Sequence, residues 1–409
     1  IEVSQLRYDL KVSKSREERH VVLNLFPFLL ENGQVVKVHK FNLIEGAEIN
    51  DSPNLLKTFV ANSALKEGSG SWYKISINQD GIYKLDRNFL EQCNVNVDNL
   101  NPQHIHIFGN GEGRIPELNS IPRTDDLAEV SIIIVDGGDG SFDANDYVLF
   151  YGEGPHKWTA VGTSSYDQDR NPYSDFSGYF INIDSSKPPK IVSSTPNGTG
   201  IVTNNVSTYS YYAVHESDAN SLIKAGQRWY GELYDDDTQM QYNYLFNVSN
   251  IDNSVPVTFD VSIASNSTFG AGSSHTYTAN GVQIGTSQMP SGAGAGNYRR
   301  QEMQVEYPNP SSSINLLVSM VKNSPDVLTY MDRILLNARR NLSMTNHQFT
   351  FSDLNSVGPG NVSEFSLTGI PSSGFVWNVT DRHNVSNILG IQSGTNFQFV
   401  ANTDNLEKW

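Results

Sequence analysis

The stretch "NYLFNVSNIDNSVPVTFDVSIAS", residues 243–265, sets two short runs of aromatic and β-branched residues on either side of a polar Asn/Asp/Ser turn. The same punctuation continues downstream in "HTYTANGVQIGT", "SINLLVSMV" and "VLTYMDRILLNARRNL". Runs of this kind read as strands, because a pleated backbone accommodates branched and aromatic side chains while Gly, Asn and Asp reverse it. Many such strands at short spacing predict a β-sandwich of jelly-roll type over residues 191–345. No internal repeat and no heptad pattern competes with that reading.

Upstream, "SWYKISINQDGIYKLDRNFLEQCNVNVDNL" begins a second β-rich unit, assigned to residues 71–190. Tyr73, Ile75 and Ile77 alternate with polar neighbours, Asp80-Gly81 turns the chain, and Asp86 is the predicted N-cap of one short helix. Before it, residues 1–70 form a hairpin region. "VVLNLFPFLLENGQVVKVHKFNLI" places Asn32-Gly33 between two apolar runs, a pair suited to a turn that needs positive φ. The Ser/Pro/Gly/Thr-rich residues 185–207 read as a linker or long loop, and residues 346–409, with "HQFTFSDL" and "GFVWNVTD", as the start of a further β unit. The predicted fold class is therefore mainly β, multidomain, with few helices.

A chain of 409 residues with a formal net charge of -16 is a poor partner for nucleic acid or an anionic membrane surface. No apolar run approaches the ~18 residues of a transmembrane helix. Only 18% of residues are charged while Asn, Ser, Thr, Gly and aromatics abound, a balance suited to extracellular β proteins. Cys93 is the one cysteine, so no internal disulfide forms. Ile1 follows no charged leader, and the chain is expected to be a mature or trimmed product.

The candidate chemistry is sparse. "GNGEG", residues 109–113, has G-x-G-x-G spacing, and Pro116 sits where a nucleotide-binding helix would start, so it reads as a tight turn. His104 and His106 would share a strand face, but no third zinc ligand accompanies them. Cys93 could act as a nucleophile only beside an imidazole, and otherwise fills a small core position. Trp72, Trp158, Trp229 and Trp377 are candidates for stacking on sugar rings or for core packing. The acidic loop "VDGGDGSFDANDYVLFYGEGP", residues 135–155, is the candidate metal site. With Gly140 as the sixth position of a calcium loop, Asp139, Asp143 and Asp146 supply carboxylates, Phe142 the apolar anchor and Asp136 a displaced first ligand. Val135 and Gly137 stand where two further ligands belong, so the alternative is an Asp/Gly turn whose carboxylates accept backbone N–H bonds.

Taken in order, "GSWYKISINQDGIYKLD", "IHIFGNGEGRIPE", "DDLAEVSI", "DGGDGSFDANDYVLFYGEGPHKW", "RNPYSDFSGYFINI", "AGQRWYGELY", "YMDRILLNARRNL" and "FVWNVTD" resemble the region before the peptidase domain in the PorU family. These are gingipain-like cysteine peptidases, the sortases of the Bacteroidota type IX secretion system. The resemblance implies a cell-surface parent that removes C-terminal sorting domains from secreted cargo and helps attach the cargo to lipopolysaccharide. It implies PorV, PorQ and PorZ as partners at the extracellular face of the outer membrane. The family's catalytic His-Gly step is missing, since none of the nine histidines precedes a glycine, and no catalytic residue is carried over. The expected role is a non-catalytic scaffold and docking region. The competing expectations are a carbohydrate-binding or adhesive sandwich using Trp229 and Tyr230, and an enzyme built on Cys93.

Overall fold

The computed structural model describes residues 7–15, 18–31, 33–41, 63–67, 70–111, 113–118, 120–222, 226, 228–266, 272–289 and 298–409. The chain divides into two compact units, Ile1–Ala61 and Asn62–Trp409. In the first, Arg7–Ser15 pairs with Glu18–Phe26 and Phe28–Glu31 pairs with Gln34–Lys37, both antiparallel. Pro27 divides the long apolar run, because it has no N–H to donate to a ladder. The half before it therefore pairs upstream, and only the half after it joins the hairpin turning at Gly33 (φ 78°). Asn32 lies outside the described residues.

Among the described residues the second unit holds three large cores and one smaller cluster. The front one is built from a four-stranded antiparallel sheet in the order Ser71–Ile77, Ser177–Ile183, Ile105–Phe108, Glu129–Val130. A three-stranded sheet of Gly81–Asp86, Tyr147–Gly152 and Ile132–Val135 packs with it. Leu85, Leu90, Ile105, Ile107, Val148, Phe150 and Ile181 fill the space between the sheets. Asp86 caps the helix Arg87–Gln92 by accepting the Phe89 N–H at 3.0 Å.

The middle core is the predicted sandwich. One sheet runs Thr208–Glu216, Leu328–Asn341, Val257–Asn266, Arg299–Tyr307, and the other Gln241–Asn247, Ser313–Lys322, Ser273–Ala279, Val282–Met289. Leaving aside the two-residue strand Leu233–Tyr234, the first, eighth, third and sixth strands share one sheet and the second, seventh, fourth and fifth the other. That order is a jelly roll. Phe259, Val261, Tyr277, Leu316, Val318, Ile334 and Leu336 meet between the sheets.

Residues 185–207 differ from the linker reading. Ser193–Pro196 pairs in parallel with Ser386–Leu389, and Asn204–Val206 in parallel with Val362–Leu367. The third core, around Phe351, Phe365, Phe399 and Trp409, is thus assembled from strands on both sides of the jelly roll in sequence. Parallel neighbours need a crossover connection, and here the whole sandwich is that crossover. Tyr151, Trp377, Val379 and Val385 join the front and third cores.

Candidate functional site

Four of the stretches quoted above, those holding Asp80, Gly109 and Gly111, Glu153 and Lys157, and Tyr179, meet at one buried charge cluster. Glu153, which is 7% exposed, follows the central strand of the three-stranded sheet. Its carboxylate accepts from Lys157 Nζ at 2.6 Å, Arg382 Nη1 at 3.0 Å and Lys408 Nζ at 3.3 Å. Lys408 also reaches Asp80 at 2.7 Å, and Asp80 accepts the Gly154 N–H at 2.9 Å. Burial acts to raise the Glu153 carboxyl, and Lys408, Lys157 and Arg382 overcome it, holding it at about 2. The "GNGEG" turn wraps this cluster: Lys157 donates to the Gly111 carbonyl and His383 Nε2 lies 3.0 Å from the Gly109 carbonyl. Gly109 is required by close approach, since a Cβ there would fall 2.4 Å from the Tyr179 ring. Glu112 lies outside the described residues. Beside the cluster opens a cavity of about 390 Å³ whose walls include Trp158, Tyr166, Tyr212 and Phe351. Trp158 stacks on Tyr212 at 3.9 Å between ring centroids.

A second cleft, about 410 Å³, opens between the hairpin Lys157–Val161/Ser165–Asp169 and the jelly roll. Arg114, Arg170, Arg228, Arg300 and Arg333 line it together with Asp167, Asp169, Glu216, Asp218, Glu302 and Asp332. Most of these charges are already paired. Arg114 meets Asp169 at 3.2 Å, Arg333 meets Asp167 at 2.8 Å, Arg300 meets Glu302 at 2.6 Å and Asp332 at 2.9 Å, and Arg170 meets Asp218 at 2.8 Å. Arg170 Nε is buried without a hydrogen-bond partner and stands 3.9 Å from Glu216. Burial pushes the Glu216 carboxyl up to about 6 against the pull of Arg170. Trp229 is 37% exposed at this cleft, whereas Tyr230, at 8%, is turned inward.

The other sequence candidates separate. In the acidic loop, Asp136 accepts the Gly138 N–H at 3.1 Å, Asp139 the Ser141 N–H at 2.9 Å and Asp146 the Asp143 N–H at 2.5 Å. These are the bonds of an Asp/Gly turn. Among the described residues no three His, Cys, Asp or Glu side chains gather as a metal-binding group. Phe142 is buried in the front core, and Arg87 donates to its carbonyl at 3.0 Å. His104 ends a 3-10 turn instead of sharing the strand of His106. His106 is fully buried between Glu129, at 2.6 Å from Nδ1, and the Asp184 carbonyl, at 3.1 Å from Nε2. Cys93 caps the helix and packs on the front core, where burial pushes its thiol up, away from the thiolate a nucleophile needs. Trp377 is buried, and Trp72 and Trp158 are half-buried against Phe108 and Tyr212.

No protein-family model and no curated protein matches the chain. Among solved structures it resembles dimeric latent PorU from Porphyromonas gingivalis, with a TM-score of 0.69 and 20% identity. That alignment covers 83% of this chain and 32% of PorU, so the chain spans about a third of its length. A CBM36 carbohydrate-binding module in complex with calcium and xylotriose aligns at a TM-score of 0.20 with 13% identity, over 32% of this chain and 98% of the module. CBM35 from Cellvibrio japonicus Abf62 aligns at 0.20 with 10% identity, over 32% of this chain and 96% of the module.

Proposed function

We propose that the chain is the non-catalytic scaffold and docking region of a cell-surface sortase of the type IX secretion system. The observation that carries this reading is the fold shared with PorU across 83% of the chain. On this reading the parent protein removes C-terminal sorting domains from secreted cargo and helps attach that cargo to lipopolysaccharide. The chain stands with its parent on the extracellular face of the outer membrane, where PorV, PorQ, PorZ and cargo sorting domains are its neighbours. The raised Cys93 thiol and the mutually satisfied charges around Glu153 support a structural role over a catalytic one.

Two measurements test it. The purified chain is expected to leave peptides and a type IX sorting domain uncleaved, and Cys93-dependent cleavage would overturn the non-catalytic assignment. Photo-crosslinkers placed at exposed Leu118, Tyr173 and Leu389 of the full parent protein in intact cells are expected to capture PorV, PorQ, PorZ or a cargo sorting domain from at least one position. A parent that reaches the surface yet gives none of these adducts from any of the three overturns the docking role.

A further inference from the structure

The cleft between the 157–169 hairpin and the jelly roll is chemically incomplete in a specific way. Its five arginines face six carboxylates, so it is nearly neutral and offers no net field to a polyanion or a polycation. What it leaves unsatisfied is one donor and one acceptor side by side, on side chains that are 26% and 13% exposed. Arg170 Nε has no hydrogen-bond partner, and the Glu216 carboxylate 3.9 Å away accepts no hydrogen bond among the described residues. An anion would satisfy the guanidinium and be repelled by the carboxylate, and a cation the reverse. A hydroxyl accepts from one and donates to the other, and two adjacent hydroxyls do so without strain.

Trp229 supplies the second, independent observation. It is the one tryptophan of the four considered above whose side chain stands substantially in solvent, and it stands at this cleft. An exposed indole beside paired planar charges matches the two faces of a pyranose ring, apolar C–H on one and hydroxyls around the edge. The volume of about 410 Å³ falls within the ~300–1,000 Å³ of ordinary ligand sites. Arg228, next to Trp229, has no ion pair among the described residues and interacts with the Tyr230 side chain at the edge of the cleft.

We propose that this cleft is a binding subsite for a neutral saccharide, with Trp229 stacked on the face of one sugar ring and Arg170 and Glu216 sharing a neighbouring pair of its hydroxyls. The proposal is independent of the docking reading above, because it rests on this cleft alone.

The probes are xylotriose, maltotriose, mannotriose and galactotriose, presented to the full chain and followed by saturation-transfer NMR. Transfer is expected from at least one, concentrated on the C–H protons of one ring face. Trp229→Ala and Arg170→Met are each expected to weaken that binding by about tenfold or more, as hot-spot Trp and Arg residues do. Both variants are checked for unchanged melting temperature, and Glu216→Gln, which keeps the shape and an acceptor, is expected to bind more weakly than the parent and more tightly than Arg170→Met. No transfer from any of the four at millimolar concentration overturns the proposal. So does transfer that survives Trp229→Ala in a folded protein.

Discussion

Glu153 is held by three cations at once, and it shows how the loops around it are kept together. Its carboxyl lies at about 2 in the folded protein against an ordinary value of 4.5. As pH falls, the unfolded chain therefore takes up this proton first. The stability that Glu153 contributes is complete above 4.5 and is lost progressively as pH falls through about 2. That shift corresponds to about 3 kcal/mol. Glu153→Gln is expected to destabilise the protein at neutral pH by about 3–5 kcal/mol, since Lys157, Arg382 and Lys408 are left buried without their counter-charge. In urea melts the gap between parent and variant should close as the pH is lowered toward the folded value. A gap that stays constant would show that the carboxylate charge is not what the cations hold. Little of this was legible in the sequence. "GNGEG", "YGEGP" and the segment around Arg382 each look like a turn, and only the fold brings Gly111, Glu153, Arg382 and Lys408 together across 297 positions (408 − 111). Local spacing was informative where the bonds are local: Asp136 to Gly138 and Asp139 to Ser141 are two-residue turns that the Asp/Gly pattern itself suggests.

The strand Ser273–Ala279 illustrates a cost carried inside an otherwise regular element. Its inward positions are Ser273, His275, Tyr277 and Ala279. Alternation of this kind made the jelly-roll strands readable, because residues two apart share a face. A histidine at such a position was not foreseen, since the sequence does not say which face of a strand is dry. His275 is 1% exposed and neither ring nitrogen has a hydrogen-bond partner. Burial pulls its pKa from 6.5 down to about 4. The folded state resists protonation, so the unfolded chain binds the proton first as pH falls. Stability is therefore unaffected by this group above 6.5 and is lost as pH falls through about 4. His275→Leu is expected to raise stability at neutral pH by about 1 kcal/mol or more, because two unsatisfied polar atoms leave the core. It is also expected to flatten the fall in melting temperature between those two values. A variant that keeps the parent's slope there would place the acid sensitivity elsewhere.

The order of the three cores along the chain decides what can be separated from what. The jelly roll enters at Thr208 and leaves at Asn341, and these two residues are register partners in one sheet. Just outside them, the Leu342 N–H donates to the Ser207 carbonyl at 2.8 Å. An element whose ends are neighbours can be inserted into a host without disturbing the host's own pairing. That arrangement was hidden from sequence reading, because the parallel pairing of Asn204–Val206 with Val362–Leu367 joins segments on opposite sides of the sandwich. Within the loose-looking residues 185–207, Ser193–Pro196 and Asn204–Val206 are therefore host strands, and their amides are expected to exchange slowly in hydrogen-exchange measurements, with Thr203 protected by its bond to the Val362 carbonyl at 2.7 Å. Exchange there at coil rates would contradict the pairing. The consequences of excision are asymmetric. The jelly-roll core is filled by residues between Tyr211 and Ala338, all its own. The third core, by contrast, uses Tyr209, and its Asp353, 3% exposed, is paired with Arg339 of the sandwich. Removing the sandwich leaves Asp353 buried and unpaired, whereas Arg339 on the isolated sandwich simply meets water. Residues 207–343 expressed alone are accordingly expected to fold, giving a cooperative thermal transition and a near-UV signal from packed tyrosines. The remainder, with Ser207 joined to Leu342 through a short Gly/Ser linker, is expected to melt lower than the intact chain and to recover when Asp353→Asn removes the stranded charge. A sandwich that binds hydrophobic dye and melts without a cooperative transition would mean that the host supplies part of its core, and that the insertion is one in sequence only.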